Sequence, residues 1–261
     1  MNKRSTSLAV MLSMLIVAGC GSSGGNFNLI SVEEEWQLGN QLSQEVASQV
    51  KFNNDPAVNA YIRSLGQKIV AQAPAPFNQL PWDFHVVQDD SINAFAIPGG
   101  HVYVNTGLIN NATNASEVAG VMAHEISHVV ARHSTEQISR QYGLSMLASL
   151  VLGQNPGVMQ QLAAQIVAGG TMARFSREAE AEADDIGIQL MSAAGYNPSG
   201  MASMFRILLQ NREGQPGKVE QFFSTHPLTE DRIRASEKRA AQIGNRGITD
   251  EPAFQDVKRR V

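Results

Sequence analysis

The chain has a single cysteine, Cys20, so no intramolecular disulfide can brace it. It also lacks a basic excess. The formal net charge is −4 and Lys and Arg are scattered, which gives no footprint for nucleic acid. No apolar run reaches the roughly 20 residues that a helix needs to cross a bilayer. Leu8 to Ala18 is too short, and the apolar stretch 142–168 is broken at Gly153-Gln154-Asn155-Pro156-Gly157. No internal repeat is visible, which excludes a solenoid. What remains is a chain of 261 residues, 43% of them hydrophobic, enough to bury one core.

The N-terminus has the layout of a secretory signal. Lys3 and Arg4 form a basic start, Leu8 to Ala18 the apolar run, and Val17-Ala18-Gly19-Cys20 closes it. Small residues before a cysteine form the bacterial lipobox pattern. We therefore expect cleavage before Cys20 and acylation of its thiol, which also explains a lone cysteine in an exported chain. Residues 21 and 22 are Gly and Ser rather than Asp, which favours the outer membrane, with the protein facing the periplasm. Several acyl chains anchor firmly where one does not. The expected organisation is a signal at 1–19, a lipidated tether at 20–29, one domain over 30–245 and a loose tail at 246–261.

Within that domain, Ser31 and Glu34 form a capping box that opens a helix to about Val50. Asp55-Pro56 opens a second helix, with Tyr61, Ile62, Leu65 and Ile69 on one stripe. Trp82 to Gln88 reads as a strand. Pro98-Gly99-Gly100 is a turn, and His101 to Val104 alternates like a strand after it. Residues 142–168 read as helical, with the roles of core, lid or client contact open and core favoured. Asn197-Pro198 caps a helix to about Asn211, and Thr229 opens what reads as the last helix.

The most informative stretch is His124-Glu125-Ile126-Ser127-His128, an H-E-x-x-H sequence. Positions i and i+4 share a helix face, so both imidazoles can reach one zinc ion, with Glu125 beside it to take a proton from an attacking water. Asn114 or Ser116 can cap this helix, and Glu117 suits its first turn. Val118, Val121, Met122 and Val129 make it a buried helix, where histidines need partners. His133, five residues past His128, points off the shared face and reads as structural. Two histidines and a water leave zinc one protein ligand short.

Three further segments resemble the zinc endopeptidase family of HtpX and the CAAX prenyl proteases. The first is Ser176-Arg177 followed by Glu180, Ala183 and Asp184, which matches the family's S-R-x-x-E-x-x-A-D signature. The resemblance makes Glu180 the third zinc ligand, while Glu178 and Glu182 point elsewhere on the helix. Asp184, one turn further on, is placed to hydrogen-bond a ligand histidine. The second segment is Asn93-Ala94-Phe95 with Pro98-Gly99-Gly100, which resembles the family's edge strand beside the cleft. Such a strand can pair with the substrate backbone. The third is His226-Pro227 with Arg232 downstream, also in the family's pattern. An isolated His-Pro is ordinarily a turn. The resemblance brings His226 to the zinc, either to stabilise the oxyanion or to occupy the open metal position at rest, with Arg232 in support. The chain lacks the apolar spans of the family's multi-pass members and looks like its periplasmic lipoprotein branch.

The resemblance implies an α+β zincin-like domain, mostly helical, with a small sheet beside the active-site helix. It implies one Zn2+ per chain on His124, His128 and Glu180, with Glu125 as general base. The expected activity is hydrolysis of unfolded or misassembled envelope proteins. The alternative from another class is a periplasmic chaperone or outer-membrane assembly factor with little proteolysis, for which the apolar 142–168 stretch would provide a client surface.

Overall fold

Ser31 closes an extended entrance and caps the first helix, α1 (Val32–Ala47), through the expected capping box with Glu34. The computed structural model describes residues 27–169 and 174–261, so the expected signal, Cys20 and most of the tether lie outside the described residues. Helix α2 (Pro56–Val70) starts at the Asp55 cap, whose side chain accepts from Ala57 and Val58 N–H. Three strands follow, β1 (Asp83–Val87), β2 (Ala94–Ile97) and β3 (His101–Asn105). They form one sheet in the order β1-β3-β2. β1 runs parallel to β3 with Asp83 opposite His101, and β2 is antiparallel to β3 with Ala94 opposite Val104.

The twofold alternation of strands makes this sheet a partition between two cores. Phe84, Val86, Ala94, Ala96, Val102 and Val104 face a large cluster built on α2 and the helix that carries H-E-x-x-H. Val87, Phe95, Ile97 and Tyr103 face a smaller cluster with Leu38 and Leu42 of α1. The short helix α3 (Thr106–Asn111) leads into α4 (Ala115–Val130), which carries H-E-x-x-H and lies beside β2 and β3. A small sheet thus flanks this helix in a mostly helical α+β domain. The β2–β3 turn uses Gly99 (φ 83) and Gly100 (φ 75), left-handed conformations that a side chain resists.

Helix α4 ends at Arg132 in a left-handed conformation (φ 61). Its guanidinium donates from Nε to Glu35 Oε2 (2.6 Å) and from Nη2 to Ile30 O (2.7 Å), tying α1 to the end of α4. Glu35 is fully buried, and burial pushes its pKa up although Arg132 opposes this. Breaking such a pair from one side costs about 3–5 kcal/mol, because the remaining charge stays buried.

Helices α5 (His133–Val151) and α6 (Pro156–Gly169) contain the apolar 142–168 stretch, interrupted by a kink at Gly143 and the turn before Pro156. Leu147, Leu150, Met159, Leu162 and Ile166 enter the smaller core against α1. Then come α7 (Arg177–Ala193), α8 (Ser199–Gly214), α9 (Pro216–Thr225), α10 (Glu230–Ile243) and α11 (Pro252–Lys258). Among the described residues no helix is long and apolar enough to cross a membrane.

Two expectations about the C-terminal end are corrected. Thr229 caps α10, yet α10 is not the last helix, and 246–261 is not a loose tail. Thr249 O accepts from Ser116 N, and Asp250 Oδ1 accepts from Ala115 N. These are two of the amides that the first turn of α4 cannot satisfy within the helix. Tyr61 donates to Glu251 Oε1 (2.9 Å), and Phe254 and Val257 insert into the large core. Two large apolar residues in seven give little sequence signal, but these hydrogen-bond partners dock the segment.

Candidate metal centre

Asn114 is the cap of α4. Its side chain accepts from Glu117 N, and the Glu117 carboxylate accepts from Asn114 N. Every residue from Ala115 to Val129 is buried, so the two histidines sit inside the protein with defined partners. His124 Nδ1 lies 2.9 Å from Asp184 Oδ1. A carboxylate accepts, so His124 carries its proton on Nδ1 and presents the Nε2 lone pair inward. His128 Nδ1 lies 2.9 Å from His133 Nδ1, and His133 Nε2 lies 3.3 Å from Glu182 Oε2. If protons run toward the terminal carboxylate, His128 donates from Nδ1 and also turns Nε2 inward.

Helix α7 crosses α4 closely at Gly187, where an added Cβ would meet Met201 Cε at 2.8 Å and His124 N at 3.1 Å. That approach places Glu180 under both histidines. His226, at the end of α9, completes the group in an extended backbone conformation suited to the residue before a proline. His124 Nε2 is 3.1 Å from His128 Nε2 and 3.3 Å from His226 Nδ1. Glu180 Oε1 is 2.9 Å from His226 Nδ1 and 3.6 Å from His128 Nε2, and Glu180 Oε2 is 3.6 Å from His124 Nε2. Metal–ligand bonds of about 2.0 Å span a tetrahedron with edges of about 3.3 Å. The observed separations of 2.9 to 3.6 Å are close to that edge, and the cluster is able to bind a metal ion.

Arg232 anchors the acidic side. It donates from Nε to Asp184 Oδ2 and from Nη2 to Asp184 Oδ1, both at 2.8 Å, and Nη1 contacts Glu180 Oε2. Burial opposes ionisation of Glu180, but His226, His124 and Arg232 outweigh it and hold the carboxyl below its usual range. Asp184 is likewise lowered, with burial overcome by Arg232 and His124. Burial, with the neighbouring histidines and Arg232 adding to it, lowers His128, which favours the neutral ring that a metal requires.

Glu125 lies at the edge of the cluster. Its Oε2 accepts from Ala96 N on the edge strand β2 (3.1 Å), and its Oε1 is 3.5 Å from His226 Nε2. Burial raises its pKa, with the Glu180 charge adding to the rise and nearby histidines opposing it. A buried carboxylate with a raised pKa, held beside a metal-binding cluster, is suited to exchanging protons with a reactant.

The structure therefore brings His124, His128, Glu180, His226, Glu125, Asp184 and Arg232 into one centre. Cys20 lies outside the described residues. Neither His133 nor Glu182 is among the four clustered ligands, as the spacing suggests, yet His133 hydrogen-bonds His128 and meets Glu182 in turn. The turn at Arg132 explains that contact, because α5 starts afresh at His133 and folds its ring back under His128. Phe175 was also missed. It stacks on His128 with ring centroids 4.0 Å apart, and its N–H donates to Thr225 O, closing the centre from the α9 side.

The profile of "Peptidase family M48" matches residues 56–240. A "Beta-barrel assembly-enhancing protease" of Escherichia coli (strain K12) is 31% identical over 249 residues, covering 92% of this chain and 50% of the relative. A "Mitochondrial metalloendopeptidase OMA1" of Schizosaccharomyces pombe is 33% identical over 220 residues, covering 83% and 64%. A "Putative beta-barrel assembly-enhancing protease" of Vibrio cholerae is 33% identical over 222 residues, covering 82% and 45%. The chain thus spans about half the length of the bacterial relatives. The family match runs from the start of α2 to the last turns of α10 and takes in every residue of the centre, so this chain belongs to peptidase family M48.

Proposed function

We propose that this chain is a zinc-dependent endopeptidase of the bacterial envelope that hydrolyses unfolded or misassembled polypeptides. The observation that carries the reading is the buried tetrad of His124, His128, Glu180 and His226 with the Glu125 carboxylate beside it. Bound there, zinc would acidify water and polarise a scissile carbonyl. Glu125 takes the proton of the attacking water and passes it to the leaving amine. Asp184 and the His133–Glu182 pair fix the tautomers of the two α4 histidines, and Arg232 orients both Glu180 and Asp184. Strand β2 lies at the edge of the sheet and would be the backbone for an extended substrate to pair with, the Ala96 N–H being taken by Glu125.

In this reading His226 is the fourth ligand of a resting state. A catalytic zinc centre keeps one position for water or substrate, and His226 would occupy it at rest. Its withdrawal, with α9, would open the centre. The functional test is cleavage of unfolded casein by the purified chain. Activity should disappear on chelation and return with added zinc. Hydrolysis that a strong chelator leaves untouched would refute the assignment.

The site of action is proposed to be the periplasmic face of the outer membrane, reached through lipid on Cys20. The lipobox-like ending at Val17-Ala18-Gly19-Cys20 supports this. Cys20→Ala is expected either to release the protein from the membrane fraction or to leave its signal uncleaved. A processed Cys20→Ala protein that still sediments with outer membranes would place the anchor elsewhere.

A further inference from the structure

A second group of metal-ligating side chains sits on the β1–β3 pair, on the face turned away from α4. Strand alternation puts Asp83 and His85 on that face, and the parallel register sets His101 opposite Asp83. Each residue offers one donor atom, and the three donors lie within 4.8 Å of one another. His85 Nε2 is 3.3 Å from Asp83 Oδ2, and the two imidazole rings are nearly parallel, 11° apart with centroids at 6.1 Å.

The wiring of His101 makes this more than a chance neighbourhood. The residue is only 8% exposed, and its Nε2 lies 3.0 Å from Asn40 Oδ1 on α1. An amide oxygen only accepts, so Nε2 carries the proton and Nδ1 keeps a free lone pair. That Nδ1 is buried without a hydrogen-bond partner, and His85 Nε2 is buried facing the Asp83 carboxylate. A buried ring nitrogen without a partner, aimed beside a second imidazole and a carboxylate, requires an explanation that the fold does not supply. The His85 ring is held in place by Tyr103, stacked at 4.9 Å, and by Phe52 at 5.3 Å. The Asp83 side chain is 48% exposed and that of His85 25%, so an ion can enter from solvent.

We propose that Asp83, His85 and His101 form a second binding site, for a divalent transition-metal ion of the Zn2+ or Ni2+ class. Two imidazoles and one carboxylate select such ions over Ca2+ and Mg2+, which prefer oxygen ligands. Asn40 is the outer partner that sets the His101 tautomer, as carboxylates and carbonyls do for other metal-bound histidines. Burial lowers the pKa of both rings, that of His101 to about 4, so protons do not compete for these nitrogens at neutral pH. With three protein ligands and partial exposure, the site binds more weakly than the buried tetrad. When filled, it fastens β1 to β3, and through Asn40 to α1. The inference stands apart from the proteolytic reading, because it uses none of the same residues.

The test is equilibrium dialysis of the untagged chain, purified with its tetrad loaded, against increasing Zn2+ and, separately, Ni2+. Wild type is expected to take up about one further ion per chain. His85→Phe, which keeps an aromatic ring between Phe52 and Tyr103, should lose that ion while casein cleavage and the circular dichroism spectrum stay unchanged. Asp83→Asn retains an oxygen for the Phe84 N–H now bound to Asp83 Oδ1, and it should weaken the second ion at least about tenfold. The proposal is overturned if wild type takes up no further ion. It is equally overturned if both variants bind the further ion as tightly as wild type.

Discussion

Glu125→Gln is expected to retain the fold and the metal and to lose about a hundred- to ten-thousandfold in casein hydrolysis. Gln has nearly the same shape, and its amide oxygen can still accept from Ala96 N, the bond that now holds Glu125 Oε2. It cannot accept a proton from water. The effect should fall on turnover, because nothing in the tetrad itself changes. Thermal melting and metal content of the same preparation separate loss of chemistry from loss of structure. Near-normal cleavage by a folded, metal-loaded variant would remove Glu125 from the mechanism. Any client-holding function that does not cut should survive the substitution, so the variant also separates a protease from a chaperone.

The second large effect is expected at Glu180. Its carboxylate faces His124, His128 and His226 and meets Arg232. Glu180→Ala removes a ligand and should weaken zinc binding at least about a hundredfold. The neighbouring acids on α7 provide graded controls. Glu182 reaches the centre only through His133, so Glu182→Ala should cost about tenfold to a hundredfold at most. Glu178 is exposed and should have no effect. Competition with a chromophoric chelator measures all three. Full zinc affinity in Glu180→Ala, with loss in Glu178→Ala or Glu182→Ala, would show that the wrong carboxylate had been assigned.

Local chemistry made part of this architecture legible from the sequence. Capping side chains mark helix starts at Ser31, Asp55, Asn114 and Thr229, because these short polar groups satisfy amides that no helix can satisfy itself. His124 and His128 pair by helix periodicity alone. Glu180, Asp184 and His226 lie far along the chain, and no periodicity connects them to α4. They were found through the family resemblance of their motifs. The contact of His133 with His128 is not legible in the spacing, because the left-handed turn at Arg132 has no glycine or proline to announce it. Helix α9 escaped because it is short, and α11 because it is held by Thr249 and Asp250, just before it, on the first-turn amides of α4 rather than by a long apolar stripe. The Asp83–His85–His101 group appears only when the parallel register sets β3 beside β1.

The central claim is that His226 completes a four-ligand zinc centre in the resting chain. X-ray absorption at the zinc edge tests it most directly, on untagged protein carrying one equivalent of zinc. The expected result is a four-coordinate ion with three imidazole ligands and one carboxylate. Two imidazoles with water in the remaining position would contradict it and return His226 to the role of a simple turn residue.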